Sequence, residues 1–281
     1  MATSRLDFVL IFLMCSIWAG NYFVIDAILP YVDPFTLSFL RAVLGGLFVL
    51  AIGGRVMKGL GRADVKWLVA FGLFNTALFF VLLNASLLTA SAGVDSTLIY
   101  TQPIFVVAFA PLLGERLTYR RVSGVAVAFC GVAVIFLPSI LGSTVVIGDL
   151  YAVAGAVSWA VSVILFKRWK PKGDARAVQA VQSLIGGALI VPVLAVEKPF
   201  VDPTLQFWLL LVYSVVLATG LTYTFFLTLL ARMPATQVTS YLFLVPVLAT
   251  IMGSIITARV PAPNEVVGTA LVAIGIVVVN R

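Results

Sequence analysis

The block Ser91–Ile135 returns, degraded but aligned, as Pro234–Val279, and both copies are apolar along most of their length. Ala92 lines up with Ala235, Thr97 with Ser240, Pro103 with Pro246 and Arg116 with Arg259, all at a spacing of 143 residues. After a one-residue slip, Gly124 and Gly131 match Gly268 and Gly275, each pair seven apart. Self-similarity at half the length of a 281-residue chain means one structural unit used twice. Its apolar character places that unit in a lipid bilayer.

Composition closes off the alternatives. Hydrophobic residues make up 62% of the chain and charged residues 10%, where soluble domains run at about 45–50% and about a quarter. The excess of 18 Lys and Arg over 11 Asp and Glu would suggest nucleic acid in a soluble protein. Here the cations sit in short loops between apolar runs, so they set orientation in the bilayer and no nucleic-acid partner is expected. Cys15 and Cys130 both fall inside apolar runs and the chain has no His, which speaks against a disulfide framework and a His/Cys metal site. The first run, preceded by Arg5, is long enough to stay as a helix, so no cleavable signal peptide is expected.

A bilayer core takes about 20 apolar residues per helix, and ten such runs follow one another. They are Phe8–Ala27, Pro34–Ile52, Lys66–Ala85, Ala92–Leu113, Arg121–Leu137, Gly148–Phe166, Ala177–Val196, Gln206–Leu230, Ala235–Thr257 and Glu265–Asn280. With the N-terminus inside, 15 basic residues fall in inner segments and only Lys198 and Arg259 in outer loops. That bias predicts ten spans with both termini cytoplasmic. Five spans per half is odd, so the second copy enters the membrane inverted. The expected fold is an all-α integral membrane protein of two inverted five-helix repeats, residues 1–141 and 142–281. Secondary transporters use such repeats to expose one central site to each side in turn.

Several local motifs add a resemblance. The first run carries Ile17-Trp18-Ala19-Gly20-Asn21 and the sixth answers with Ser158-Trp159-Ala160. The Pro103 helix leads into Gly114-Glu115-Arg116-Leu117-Thr118, and then into the Gly124/Gly131 helix. In this combination the chain resembles the EamA-type branch of the drug/metabolite transporter superfamily, over essentially its whole length. It departs at Ala258, where a Glu matching Glu115 is common. Within that superfamily it is most similar to bacterial inner-membrane exporters of amino acids, aromatic ones included. The resemblance implies a multi-pass inner (plasma) membrane basket whose cavity is lined by helices one, three, four, six, eight and nine, with five and ten as packing elements.

Polar and aromatic residues on those helices are the candidates for the cavity: Trp18, Asn21, Tyr22, Asn75, Phe79, Asn84, Tyr100 and Gln102 in the first half. The second half offers Ser158, Trp159, Ser162, Tyr213, Tyr223, Gln237, Ser240 and Tyr241. Amides and hydroxyls are costly facing lipid and point into the bundle, where each serves either interhelical hydrogen bonding or substrate contact. A pocket of aromatics and amides suits a small zwitterion with an apolar or aromatic side chain. Asp26, Arg41 and Asp95 lie in the outer third, where a lone charge wants a partner or water. Either Arg41 pairs with a carboxylate and locks the outer helix ends, or Arg41 or Asp95 lines the vestibule and meets substrate or a coupling proton. Pro103 and Pro246 bend their helices at Ile99 and Leu242, as hinges or as static kinks.

No GxxxxGK[ST] loop occurs, so no ATP is hydrolysed by this chain, and no nucleophile–base constellation points to an enzyme. No cofactor is expected. The predicted function is secondary or facilitative export of amino acids, aromatic or hydrophobic foremost, and of similar small metabolites, with a proton as the candidate coupling ion. Broad drug and metabolite efflux, or a gated channel, are the alternatives.

Overall fold

The computed structural model describes residues 4–53, 59–89, 97–142, 146–196 and 198–280. Among them, eight helices are long and apolar enough to cross a membrane. These are α1 (Arg5–Ile28), α2 (Pro34–Gly53), α3 (Arg62–Ser86), α6 (Ile147–Trp169), α7 (Ala175–Val196), α8 (Leu205–Arg232), α9 (Ala235–Ile256) and α10 (Pro263–Asn280). Shorter helical segments among the described residues are α4 (Thr97–Leu113), α5 (Tyr119–Ile135) and the five-residue helix Leu137–Leu141. The start of the expected fourth run, at Ala92, lies outside the described residues. Helix ends follow local chemistry. Ser4 and Asp7 form a reciprocal capping box at the start of α1, and Thr118 and Thr204 accept backbone N–H bonds where α5 and α8 begin.

Two antiparallel seams of small residues bring helices unusually close. A Cβ placed on Gly131 would stand 2.6 Å from the carbonyl oxygen of Gly268, and one on Gly268 would stand 2.5 Å from that of Gly131. Gly124 and Gly275 face each other in the same reciprocal way, at 2.9 and 2.6 Å. These four glycines let the α5 and α10 backbones touch, which van der Waals packing rewards in lipid where no hydrophobic effect separates helices from tails. The α2–α7 seam repeats the device: a Cβ on Gly46 would meet the Leu184 side chain at 3.0 Å and one on Gly187 that of Val43 at 2.6 Å.

The outward faces are apolar, with Leu6, Phe8, Val9 and Phe12 of α1 and Val266, Val267, Ile274 and Val277 of α10 exposed, as a lipid-facing surface requires. Polar groups collect inside or at the two ends. At one end Arg232 pairs with Asp7 at 3.2 Å, Trp169 donates to Asp64 at 2.7 Å, and Lys167 donates to the carbonyls of Leu230 and Met233. At the other end the α1–α2 and α7–α8 connections meet: Phe200 N–H donates to Asp33 and Tyr31 to Gln206. There Arg259 forms a two-bond pair with Glu265 at 2.7 and 2.8 Å.

The α5–α10 seam has no room for even one methyl group. Gly275→Ala is expected to lower the thermal unfolding midpoint in detergent clearly, at a cost of about 1–3 kcal/mol. Gly155→Ala, whose Cβ would meet nothing nearer than 3.6 Å, is expected to leave the midpoint unchanged in the same assay.

Candidate functional site

The site begins with irregular backbone. Both α3 and α8 loosen into π-helical turns, at Leu73–Leu78 and Tyr213–Leu221. Helix α4 breaks at Tyr100 and Thr101 before restarting at Gln102–Phe109, and α9 tightens into a 3-10 turn at Tyr241–Phe243. Pro103 and Pro246 stand just after these breaks, as the second and third residues of the restarted helices. Carbonyls at and beside these irregular stretches are taken up by side chains. Ala218 O accepts from Trp18 Nε1 at 3.0 Å and from Thr222 Oγ1 at 2.6 Å; Phe74 O accepts from Ser158 at 2.8 Å; Leu98 O accepts from Thr101 at 2.6 Å. Non-regular backbone is tolerated at membrane depth when it is buried in protein or lines a cavity.

A cavity of about 70 Å³ opens beside these stretches. Its wall comes from six helices: Trp18, Asn21, Tyr22 and Ile25 of α1, Arg41 of α2, Phe79, Phe80 and Leu83 of α3, Ile99 and Tyr100 of α4, Trp159 of α6 and Tyr223 of α8. The aromatics interlock, Trp18 edge to face with Trp159 and Tyr223, and Phe79 tilted 32° against Trp159. Trp18 meets Trp159 at 5.7 Å and Tyr223 at 5.3 Å between ring centroids, and Phe79 meets Trp159 at 5.0 Å. Such pairs contribute about 0.5–1.5 kcal/mol each beyond their buried area, so the wall is stiff. Asn21 is fixed by Ser214, which donates to its Oδ1 at 3.1 Å.

Tyr22 donates to the Tyr100 hydroxyl at 3.2 Å, and both residues also border a second cavity of about 270 Å³. That cavity runs past Phe136, Pro246 and Thr250 to the Arg259–Glu265 pair, where the neighbouring carboxylate holds the guanidinium above its usual pKa. The two tyrosines thus form the partition between an inner aromatic chamber and an outer vestibule.

The expected residues divide accordingly. Trp18, Asn21, Tyr22, Phe79, Tyr100, Trp159 and Tyr223 come together around the inner chamber. The others do not line it. Asn84 ties α3 to α2 through Pro34 O and Ser38; Asn75 accepts from Ser162; Ser158 binds Phe74 O. Gln102 is fully buried elsewhere, and Tyr213 donates to Ile17 O from the rim of a separate groove. Gln237 and Ser240 lie with Asn280 near the basic end, and the Tyr241 carbonyl accepts from Cys15. Helix α9 therefore contributes no wall residue to this chamber, whereas α2, which the resemblance did not count, contributes Arg41.

The Arg41–carboxylate pair does not form among the described residues. Asp26 is exposed at the end of α1, and Asp95 lies outside the described residues. Arg41 instead donates through Nε to Thr219 Oγ1 at 3.3 Å, and its guanidinium carbon stands 4.9 Å from the Phe80 ring centroid. Phe80, Leu83, Ile25 and Ile99 escaped sequence reasoning because apolar residues on apolar helices carry no distinguishing mark. The one available signal was that Phe80 adjoins Phe79.

Glu115 closes the opposite, basic end of the bundle. It accepts from the Ala235 N–H at 2.7 Å and the Thr236 hydroxyl at 2.9 Å, capping the N-terminus of α9, with Arg121 3.6 Å away. Among the described residues no cluster of three or more His, Cys, Asp or Glu is placed to hold a metal.

An all-helical, lipid-faced bundle around an aromatic chamber is the form of a multi-pass membrane transporter. The chain belongs to the EamA-like transporter family, whose model matches residues 6–137 and again 146–281. An uncharacterized transporter of Bacillus subtilis, YvbV, is 28% identical over 94% of this chain and 88% of its own length. A "Probable amino-acid metabolite efflux pump" of Salmonella typhimurium is 25% identical over 97% of this chain and 94% of its own. A solved structure titled only "Crystal structure of protein" superposes with a TM-score of 0.83, covering 97% of this chain and 95% of that one at 23% identity. The last similarity is one of fold.

Glu115 supplies charge-assisted bonds at a helix N-terminus. Glu115→Ala is expected to lower stability by about 1–2 kcal/mol in thermal unfolding, and Glu115→Gln, which keeps an acceptor, by less.

Proposed function

We propose that this protein exports small amphipathic metabolites, with aromatic and hydrophobic amino acids foremost, by alternating access across the bacterial inner membrane. The observation that carries the reading is the inner chamber, a mainly apolar pocket walled by Trp18, Phe79, Trp159 and Tyr223 and screened from the vestibule by Tyr22 and Tyr100. The relative described as an amino-acid metabolite efflux pump supports the cargo class.

Ten spans in two inverted repeats, residues 1–141 and 142–281, with both termini cytoplasmic, are the proposed frame. The double match of the family model and the reciprocal glycine contacts of α5 with α10 support it, as does the excess of cations at one side. Transport then consists of rocking one set of helices against the other. The breaks ahead of Pro103 and Pro246 serve as hinges, Tyr22 and Tyr100 part toward the outer vestibule, and Glu115 and Lys167 release the α8–α9 connection toward the cytoplasm. Release of cargo runs down its own gradient or against an entering proton, for which Asp26, Asp95 and Glu115 are the available carboxylates. Broad-specificity efflux is the second reading, favoured by the mainly apolar wall, which excludes few bulky hydrophobic compounds.

Counterflow in proteoliposomes tests the proposal. Labelled phenylalanine or tryptophan is expected to enter saturably and faster when unlabelled aromatic amino acid is inside. Trp159→Ala and Tyr100→Ala are each expected to cut exchange tenfold or more, equivalent to about 1.4 kcal/mol, and Asn21→Ala to cut it by less. Flux that never saturates would favour a channel. Absence of exchange with every amino acid, but not with bulky hydrophobic compounds, would favour broad efflux.

A further inference from the structure

Among the described residues Arg41 is a buried cation with no ionic partner. It is 4% exposed, lines the inner chamber, and uses only its Nε for a hydrogen bond, to Thr219. Its two terminal nitrogens meet no hydrogen-bond acceptor among the described residues, and none of the twelve wall residues is acidic. A second donor shares this condition: Trp159 Nε1 is fully buried, belongs to a wall residue and has no partner among the described residues. The amide oxygen of Asn21, by contrast, is already occupied by Ser214. The chamber therefore presents unanswered donors and one positive charge. Buried donors of this kind are costly unless an acceptor arrives.

Packing does not call for the charge. At the corresponding place in the second half, 141 residues on, stands Gln182. Gln182 accepts from Thr76 at 2.8 Å, and Arg41 donates to Thr219, the residue 143 positions after Thr76. A neutral amide thus completes the same helix–threonine contact that Arg41 completes. What Arg41 adds is a guanidinium aimed at the chamber.

We infer that Arg41, helped by the Trp159 indole N–H, anchors a carboxylate, and that the cargo is a monocarboxylate with an aromatic or bulky apolar body whose amino group is dispensable. The inference rests on the transport reading and narrows it. A guanidinium matches a carboxylate through paired N–H donors, while the aromatic wall takes up the apolar body. An α-ammonium finds no carboxylate among the described wall residues and faces repulsion from Arg41, so it is tolerated rather than required. A neutral hydrophobic compound leaves the guanidinium unanswered.

The test uses the full chain with four probes of one size: phenylalanine, 3-phenylpropionate, 3-phenylpropionamide and phenethylamine. Competition against phenylalanine counterflow is measured in proteoliposomes, and ligand-induced thermal stabilisation in detergent gives binding independently of transport. The expected order places 3-phenylpropionate level with or ahead of phenylalanine, and phenethylamine at least tenfold weaker. Arg41→Gln copies the residue at position 182 and is expected to fold, with the preference for the acid over its amide reduced tenfold or more. Trp159→Phe, which keeps a ring and removes the N–H, is expected to reduce that preference several-fold and decides the matter if Arg41→Gln fails to fold. Amine binding as tight as acid binding, or an unchanged acid-to-amide ratio in the folded variants, overturns the anchor even where saturable exchange persists. An Arg41-dependent ratio in binding without any exchange upholds the anchor and overturns the transport reading.

Discussion

Every backbone N–H and C=O in a hydrocarbon layer has to find a partner inside the protein, and the interior of this chain is arranged around that requirement. Among the described residues regular helix gives way at the π turns of α3 and α8, at the breaks of α4 and α9, and at the 3-10 turn that ends α4. At and around these places, threonine, serine, glutamine and tryptophan side chains supply the missing bonds. Gln179 reaches Thr219 O at 3.3 Å, Thr219 reaches Ser214 O at 2.8 Å, and Trp18 reaches Ala218 O. The same irregularities swing aromatic side chains toward one another. The chamber is thus a consequence of how the backbone is satisfied, and most polar residues within the spans maintain its walls instead of meeting cargo.

The glycine seams carry the complementary load. They fix α5 against α10 and α2 against α7 at a separation that larger residues would forbid. Charges stay at the ends, where Asp7–Arg232, Glu115–Arg121 and Arg259–Glu265 are each partly solvated and individually contribute little. Arg41 is the exception, a buried cation within α2, and it is the strongest reason to regard the chamber as selective.

Much of this was legible in the sequence. Eight of the ten apolar runs coincide, to within a few residues at their ends, with helices long and apolar enough to cross a membrane, because length and hydropathy are what a bilayer selects. The pairing of Gly124 and Gly131 with Gly268 and Gly275 announced the close seam, since glycine at a seven-residue spacing marks one helix face. The π turns were not legible: Leu73–Leu78 contains neither glycine nor proline, and its widening depends on Ser158, Ser162 and Gln182 from other helices. The placement of Gln237, Ser240 and Tyr241 away from the chamber was equally hidden. A polar residue pointing into a bundle looks the same in sequence whether it meets a cavity, a neighbouring carbonyl or an end loop. Arg41 drew notice as a charge within a span, but its surroundings depend on α3 and α8, far away in the chain.

The central claim is that one chamber opens to the two ends in alternation. Double electron–electron resonance in lipid nanodiscs tests it most directly, with spin labels on one variant at Leu117 and Arg168 near the basic end and on another at Pro30 and Val260 near the other. Each distance is predicted to show two populations, and saturating cargo is predicted to shift them reciprocally, one end widening as the other narrows. A single unchanging distance at both ends, or widening of both together, would contradict alternating access and leave a static bundle or a channel in its place.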